Sequence, residues 1–319
     1  MAIKNVLVTG CLGFIGAATA EALIGQDYNV TGVDCNYYRG MNKFRLEKSS
    51  EYKIFDADIT RPFIHFNGDE NFDSIIHLAA IPGVRDSIRD PEKYYRNNLM
   101  GTLNILELMR EYKIPKLVFA STSSIYDWDH ASYRPMPECG TDLPQHPYAG
   151  SKLACEDLCR IYHELHGISV SVLRYHTVYG PAGRPDMAPL KFAHKIANGL
   201  PIQLNGNGLQ ERDFTFIDDV VDANIRAMNH EAGFEVFNIG AGEPYLLNYL
   251  ISNLELGFDK KAIIEYKNSN NLDASFTWAD NTKAREMLGW EPRVSFYDGI
   301  ERTVSWYQEH RTELQGIEF

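Results

Sequence analysis

No stretch of this chain restricts its fold more than residues 6–16, VLVTGCLGFIG, where a run of small branched hydrophobes ends at Gly10, Gly13 and Gly16. Glycine is placed where the backbone must take a positive φ or where another group must come very close to it. Here the glycines stand where a buried strand gives way to helical spacing. A helix that begins right after such a turn points unpaired N–H groups and the positive end of its dipole into the gap, which suits a phosphate.

The alternation continues down the chain. Short β-branched runs at 3–9, 28–34, 52–55, 73–79, 116–121 and 169–175 alternate with helical periodicity at 14–26, 97–112 and 148–166. Strands separated by helices of this length need crossover connections, hence parallel pairing in a sheet covered on both faces. The expected fold is α/β, a doubly wound parallel (Rossmann) sheet. After residue 175 come loops rich in Gly and Pro, GPAGRPD and GNGLQERD, with helical spacing near 187–199, 217–229, 244–256 and 297–309. We read residues 1–175 and 214–240 as the dinucleotide-binding domain. Residues 176–213 and 241–319 are read as a smaller C-terminal lobe that binds substrate over the carboxyl ends of the strands.

A chain of 319 residues with 44% hydrophobic and 23% charged side chains can bury a large core and is not disordered. Its net charge of −12 argues against nucleic acid or an anionic membrane as partner, because phosphate backbones select basic faces. A few local arginines can still hold a small anion. No apolar run approaches the ~18 residues of a membrane span and no signal-peptide core is present, so a cytoplasmic protein is expected. The five cysteines are odd in number and form no CxxC pair. Cys155 and Cys159 read as core-facing thiols rather than metal ligands, and no metal site is expected.

Downstream residues decide what the glycine turn holds. Asp34 closes the second strand 18 residues beyond Gly16, where a carboxylate accepts hydrogen bonds from an adenosine ribose and repels a 2′-phosphate. NAD is therefore favoured over NADP. Asp58 and Ile59 follow the third strand, suited to the edge and face of an adenine. Leu78, Ala79 and Ala80 follow the fourth, where small residues let the backbone approach a dinucleotide. Gly10 then makes the turn, Gly13 admits the pyrophosphate and Gly16 lets the helix pack on the strand.

On the stretch 148–166, Cys155, Leu158, Cys159, Tyr162 and Leu165 make one inward stripe. At about 100° per residue, Tyr148 and Lys152 fall at its N-terminal end. An ammonium close to a phenol favours phenolate and lowers the tyrosine pKa from ~10 toward neutrality, which makes a general base; the nicotinamide charge of NAD⁺ pushes the same way. Without the cofactor evidence, a snorkelling lysine beside a packing tyrosine is the alternative.

From residue 3 to about 308 the chain resembles the extended short-chain dehydrogenase/reductases, the NAD-dependent epimerase/dehydratase family. It carries their GxxGxxG turn at Gly10, Gly13 and Gly16, their Ser/Thr after the fifth strand as Thr122 in ASTSSIY, and their YxxxK as Tyr148-AGS-Lys152. The resemblance implies that Thr122 hydrogen-bonds the reacting hydroxyl, Tyr148 exchanges its proton, and Lys152 holds the nicotinamide ribose and tunes Tyr148. It also implies that Phe14, Ile15, Asn36 and Asn98 lie around the NAD, together with Ser121, Tyr175 and Val178. Many relatives dimerise through the helices corresponding to 97–112 and 148–166, so a homodimer is implied as well.

Relatives that dehydrate sugar nucleotides place Asp-Glu after that Thr, since elimination needs an acid and a second base. Here stand Ser123 and Ser124, neither of which removes a proton unaided, and the glutamate that decarboxylating relatives carry in this turn is absent. What remains resembles a 4-epimerase acting on a UDP-sugar: oxidation at C4, rotation of the 4-keto sugar, and reduction on its opposite face. PGVRDS at 82–87 and TVYGPAGRPDMA at 177–188 resemble the UDP-glucuronate 4-epimerases. That likeness puts Thr177, Arg184, Ser123 and Ser124 around the C5 carboxylate, with Arg85 and Met187 also at the substrate. Arg212, in RDFTFIDD, matches the segment that supplies an arginine to the UDP diphosphate, where a guanidinium fork suits phosphate oxygens; Asp273 falls near the uridine ribose. A 4-keto uronate is a β-keto acid that loses CO₂ if its carboxylate aligns with the carbonyl π system, so its carboxylate must be held in the unproductive orientation. The alternatives are a 4-epimerase of neutral UDP-hexoses, another NAD-dependent nucleotide-sugar enzyme such as a decarboxylase or dehydratase, and an NAD-binding relative without turnover.

The chain departs from the pattern in several places. Asn270, Asn271 and Leu272 precede Asp273 where Arg-Pro-Gly is common, leaving one diphosphate contact to another residue such as Arg285. Asp86 follows Arg85 in place of an aromatic, so either it points away from an anionic sugar or the substrate differs from plain UDP-glucuronate. Asp127 opens the rim segment 127–147 where glycine is usual. His176 replaces a Phe beside the nicotinamide and is expected to be a satisfied structural histidine.

Overall fold

The computed structural model describes residues 3–35, 52–61, 71–129, 133–140, 142–231, 233–268, 274–317 and 319; Asn36 and Asp273 lie outside the described residues. Six strands come in the expected places: β1 (Asn5–Thr9), β2 (Asn29–Asp34), β3 (Lys53–Asp56), β4 (Ser74–His77), β5 (Lys116–Thr122) and β6 (Ser169–Tyr175). They are followed by β7 (Thr177–Tyr179), β8 (Pro201–Asn205), β9 (Glu211–Phe216), β10 (Phe234–Ile239), β11 (Pro244–Leu246) and β12 (Ile263–Lys267). A seven-stranded parallel sheet runs β3-β2-β1-β4-β5-β6-β10. Strand order reverses between β1 and β4, which opens a crevice at their carboxyl ends. Gly10 and Leu78 are the first residues past those two ends, so both lie at the switch point.

Both faces of the sheet are covered, which is why its central strands are largely apolar. Val6, Val8, Ile76 and Val118 face a core shared with the helices Phe14–Ile24 and Ile217–Asn229. Leu7, Ile75, Leu117 and Phe119 face the other way, onto the helices Gly101–Tyr112 and Pro147–His166. Cys155 and Cys159 are fully buried in that second core. Leu165, expected on the same stripe, is instead exposed. Ten residues on from Cys155, it has turned by about 80° from that thiol at ~100° per residue, to the edge of the stripe.

Beyond β6 the outcome departs from the loop-and-helix expectation. Strands β11-β9-β7 make a small sheet and β12-β8 another. Three short helices, Val84–Arg89, Pro91–Tyr94 and Thr282–Leu288, were not anticipated. The helix expected over 97–112 opens as a π-helical turn, Tyr95–Met100, before continuing as Gly101–Tyr112. Among the described residues no helix is long and apolar enough to cross a membrane.

Candidate active site

At the switch point the glycines are held by close approach. Gly10 has φ +70°, and a Cβ there would stand 2.7 Å from the Ala79 nitrogen; a Cβ on Gly16 would stand 2.0 Å from the Gly10 carbonyl oxygen. Gly13 N-caps the helix Phe14–Ile24 with no side chain bonded to its first-turn donors. Among the described residues, a Cβ on Gly13 would meet only the Gly10 oxygen, at 3.0 Å. The turn is thus a cradle of backbone donors at a helix N-terminus, open on one side, and it fits a dinucleotide pyrophosphate. Asp34 accepts from the Leu12 N–H at 2.9 Å, which brings its carboxylate to the turn. Phe14 is buried while Ile15 is half-buried and packs against the first core.

The other residues expected at the cofactor are placed as follows. Asp58 is exposed and accepts from the Thr60 N–H at 2.9 Å, whereas Ile59 is buried against Gly101. Ala79 N–H donates to the Thr9 hydroxyl at 3.2 Å, and Leu78 N–H to the Thr9 carbonyl at 3.2 Å; Ala80 is half-buried beside them. Beneath this loop His77 bridges Thr9 and Thr102 at 2.7 and 3.1 Å, its pKa pushed down to about 3 by burial and then by the Lys152 charge. Asn98, in the π-helical turn, uses its amide on both backbone groups of Ile81 and on the Ser151 hydroxyl. Tyr175 sends its hydroxyl to Asn224 at 2.6 Å, and Val178 packs against the first core. The Ser121 hydroxyl donates to the Glu156 carboxylate.

Thr122 ends β5, and Tyr148 stands at the start of the helix Pro147–His166, near enough for the Thr122 hydroxyl to favour its phenolate. Lys152 is buried one turn on, with Nζ 4.2 Å from the centroid of the Phe119 ring. Burial pushes the Tyr148 pKa up, while the Arg184 charge and the Thr122 hydrogen bond pull it down. The lowering charge is therefore Arg184, where the sequence pointed to Lys152. Burial lowers the Lys152 pKa, against the opposing pull of Cys155, Cys159 and Glu156. His146, unremarked in the sequence, caps this helix by accepting from the Ala149 N–H at 3.2 Å, and its ring lies parallel to that of Tyr148 at 6.1 Å.

Around the mouth, Ser123 is buried, and its carbonyl accepts from the Trp128 indole at 2.9 Å; the Ser124 N–H donates to Thr122 Oγ1 at 3.1 Å. Thr177 is half-buried at the start of β7. Arg184 grips Asp186 with two bonds, Nε to Oδ1 at 3.0 Å and Nη2 to Oδ2 at 2.5 Å. Met187 caps the helix Ala188–Ala197, and the nearby Gly183 approaches Phe14 of the dinucleotide turn. Arg85 is exposed on its short helix, where Asp86 pairs with Arg89 at 3.4 Å, a pairing on the solvent side of the helix. Arg212 donates to the Glu211 carbonyl at 2.8 Å, and Arg285 to Asn281 at 2.9 Å. His176 departs from expectation: it is buried, yet neither ring nitrogen has a hydrogen-bond partner among the described residues. Its ring instead meets the edge of Trp128, at 5.8 Å.

A doubly wound sheet with a glycine cradle at its switch point and a phenol–hydroxyl pair two strands away defines a dinucleotide-binding protein equipped to move a proton. The chain belongs to the NAD dependent epimerase/dehydratase family, which matches residues 6–240. It is 41% identical, over 98% of each chain, to the UDP-glucuronate 4-epimerase of Thermodesulfobacterium geofontis. Among solved structures it resembles UDP-glucuronic acid 4-epimerase from Bacillus cereus in complex with UDP-glucuronic acid and NAD: 34% identity, TM-score 0.88, covering 96% of this chain and 99% of that one. It is equally similar in shape to UDP-glucose 4-epimerase from Thermotoga maritima with UDP-glucose, at 30% identity, TM-score 0.88, and 97% and 100% coverage.

Proposed function

We propose that the protein is an NAD-dependent UDP-sugar 4-epimerase and that its substrate is a UDP-uronate, UDP-glucuronate or UDP-galacturonate. NAD, when bound, supplies reversible oxidation and reduction at C4 of the sugar, and the cradle Gly10–Gly16 with Asp34 would hold it. Tyr148 takes the proton of the C4 hydroxyl and returns it, with Thr122 hydrogen-bonding that hydroxyl. Lys152 binds and orients the nicotinamide ribose from its buried position. Ser123 and Ser124 offer hydroxyls and no second acid or base, which disfavours elimination.

The observation that carries the uronate reading is the reach of Arg184: its charge acts on the Tyr148 phenol itself. A cation whose field reaches the proton-transfer oxygen would also favour a carboxylate on the neighbouring carbon. With Thr177 it would hold that carboxylate out of line with the C4 carbonyl and so suppress decarboxylation. Residues 176–213 and 241–319 are assigned as the lobe that carries the nucleotide sugar, with Arg212 toward the diphosphate. One observation favours the second reading, a neutral UDP-hexose: the Arg184 fork is already occupied by Asp186.

A proton NMR time course with UDP-glucuronate and no added coenzyme tests the proposal. UDP-galacturonate should accumulate to a fixed ratio without pentose. Faster conversion of UDP-glucose than of UDP-glucuronate would replace the uronate reading with the hexose one. A protein that carries NAD and converts neither sugar would overturn both.

A further inference from the structure

Arg174, in β6, lies in register with Ser121 of β5 and stands one residue before Tyr175, the register partner of Thr122. Its side chain is 4% exposed and makes two bidentate contacts. On one side Nε and Nη2 reach the Glu156 oxygens at 3.1 and 2.7 Å. On the other, Nη1 and Nη2 reach the Asp142 oxygens, both at 2.9 Å. The guanidinium also lies 4.8 Å from the ring centroid of Tyr126 and donates at 3.4 Å to the Glu138 carbonyl. Burial disfavours its charge, but Glu156, Tyr126 and Asp142 together outweigh that and hold its pKa above the usual arginine value.

The partners belong to two different parts of the site. Glu156 stands one turn beyond Lys152 and two beyond Tyr148 on the helix Pro147–His166, so it fixes how that helix sits on β5 and β6. Glu138 and Asp142 belong to the rim segment 127–147, and Tyr126 immediately precedes it. Tyr126 pairs with Asp142 as an antiparallel bridge, and its hydroxyl donates to Asn238 at 2.7 Å. Asn238 in turn donates from its backbone to Glu138 and from its amide to the Met136 carbonyl. Two residues past Tyr126, Trp128 docks on the Ser123 carbonyl beside Thr122. A buried ion pair is weak evidence for stability, since apolar packing of equal volume does as well; its best-attested use is to fix register. Here one guanidinium fixes the register of two segments against each other.

We propose that Arg174 is a positioning residue that couples the proton-transfer helix to the rim of the sugar site, and that Asp142 is the limb setting how tightly the rim holds the nucleotide sugar. Glu156 is 6% exposed and cannot release the arginine without leaving a naked buried charge, whereas Asp142, at 31%, can. The rim is therefore the side that gives.

The assignment of a sugar to this site rests on the function proposed above, so the test pairs a kinetic readout with one that needs no turnover. Asp142→Ala and Asp142→Asn are compared with wild type for KM and kcat on UDP-glucuronate, for NAD content, and for amide hydrogen exchange. In Asp142→Ala we expect KM to rise about tenfold with kcat within about twofold, as for a lost charge-assisted pair that touches no reacting atom. Asp142→Asn keeps one acceptor and should fall between. Exchange at the Leu143 amide, which donates to the Ile125 carbonyl at 3.0 Å, should quicken while amides of 151–163 stay protected. An unchanged KM with unchanged exchange overturns the coupling, as does a loss of kcat at constant KM, which would put the effect on the helix. If wild type converts no nucleotide sugar, the functional reading fails and the exchange result alone decides the coupling.

Discussion

The Tyr148 phenol is where the residue scale matters most, because burial and its neighbours act on it in opposite directions. Burial raises its pKa, so the fraction able to accept a proton grows with pH, and the rate should rise with pH until Tyr148 is ionised. Removing Arg184 removes a lowering charge, so Arg184→Ala should move the rising limb of kcat/KM to higher pH, modestly because Asp186 already neutralises part of that cation. A pH–rate profile with either UDP-hexose or UDP-uronate checks this; an unmoved limb would mean that the guanidinium does not sense the phenol. On the cofactor side, Gly16→Ala puts a Cβ 2.0 Å from the Gly10 oxygen. The turn would have to open, and the purified variant should carry little NAD by absorbance after denaturation. These residues were legible in the sequence because their roles are set within a few positions of chain. Asp186 was missed, although it stands only two residues from Arg184, because nothing in spacing says which carboxylate an arginine will choose.

At the scale of elements, the helix Pro147–His166 carries the chemistry and depends on an unusual cap. His146 accepts from the Ala149 N–H at 3.2 Å, a bond that needs a lone pair on Nδ1, and burial lowers its pKa to about 4, which keeps that lone pair available near neutrality. His146→Ala should cost about 1 kcal/mol in a urea titration and lower kcat, while His146→Ser, which restores a cap acceptor, should recover most of both. Equal behaviour of the two variants would show that the ring lying parallel to Tyr148 matters and the cap does not. The sequence fell silent here because histidine is not a customary N-cap and the Pro147 that follows already marks the helix start. The same reasoning separates the first half of the fold from the second. The central strands β1, β4, β5 and β6 are largely apolar because helices cover both sheet faces, and that pattern is visible in one dimension. Strands such as β7, β11 and β12 are short and half-buried or exposed, so their pairing is decided by partners far away in sequence. β10 was missed although its last residues are fully buried, because it enters the sheet from a stretch whose spacing had already turned irregular.

Across the whole molecule, buried titratable groups make stability respond to acid with mixed signs. His77 and His176, both held down at about 3, stay neutral in the folded chain while the unfolded chain takes up their protons near 6.5, so each lowers stability as pH falls through that interval. Asp213 does the reverse. Burial raises it to about 6 against the pull of the Ala279, Gly242 and Ala241 N–H bonds, so between about 6 and 3.8 the folded chain binds the proton first and gains stability as pH falls. Glu138 and Asp219, raised by burial as well, side with Asp213. A bulk pH titration therefore adds opposing slopes, and one variant separates them. His176→Phe replaces a buried ring whose two nitrogens lack partners among the described residues, so at pH 7 it should stabilise by about 1 kcal/mol or more in urea unfolding. Phenylalanine takes no proton, so its advantage over wild type should widen as pH drops from 6.5, by at most about 1.4 kcal/mol per unit. Urea midpoints at pH 7 and pH 5 measure the gap, and because both proteins keep Asp213, Glu138 and Asp219 the carboxyl contributions cancel. A gap that is the same at both values would mean that the imidazole takes up its proton as readily inside the folded chain as outside it, which the burial of this ring opposes.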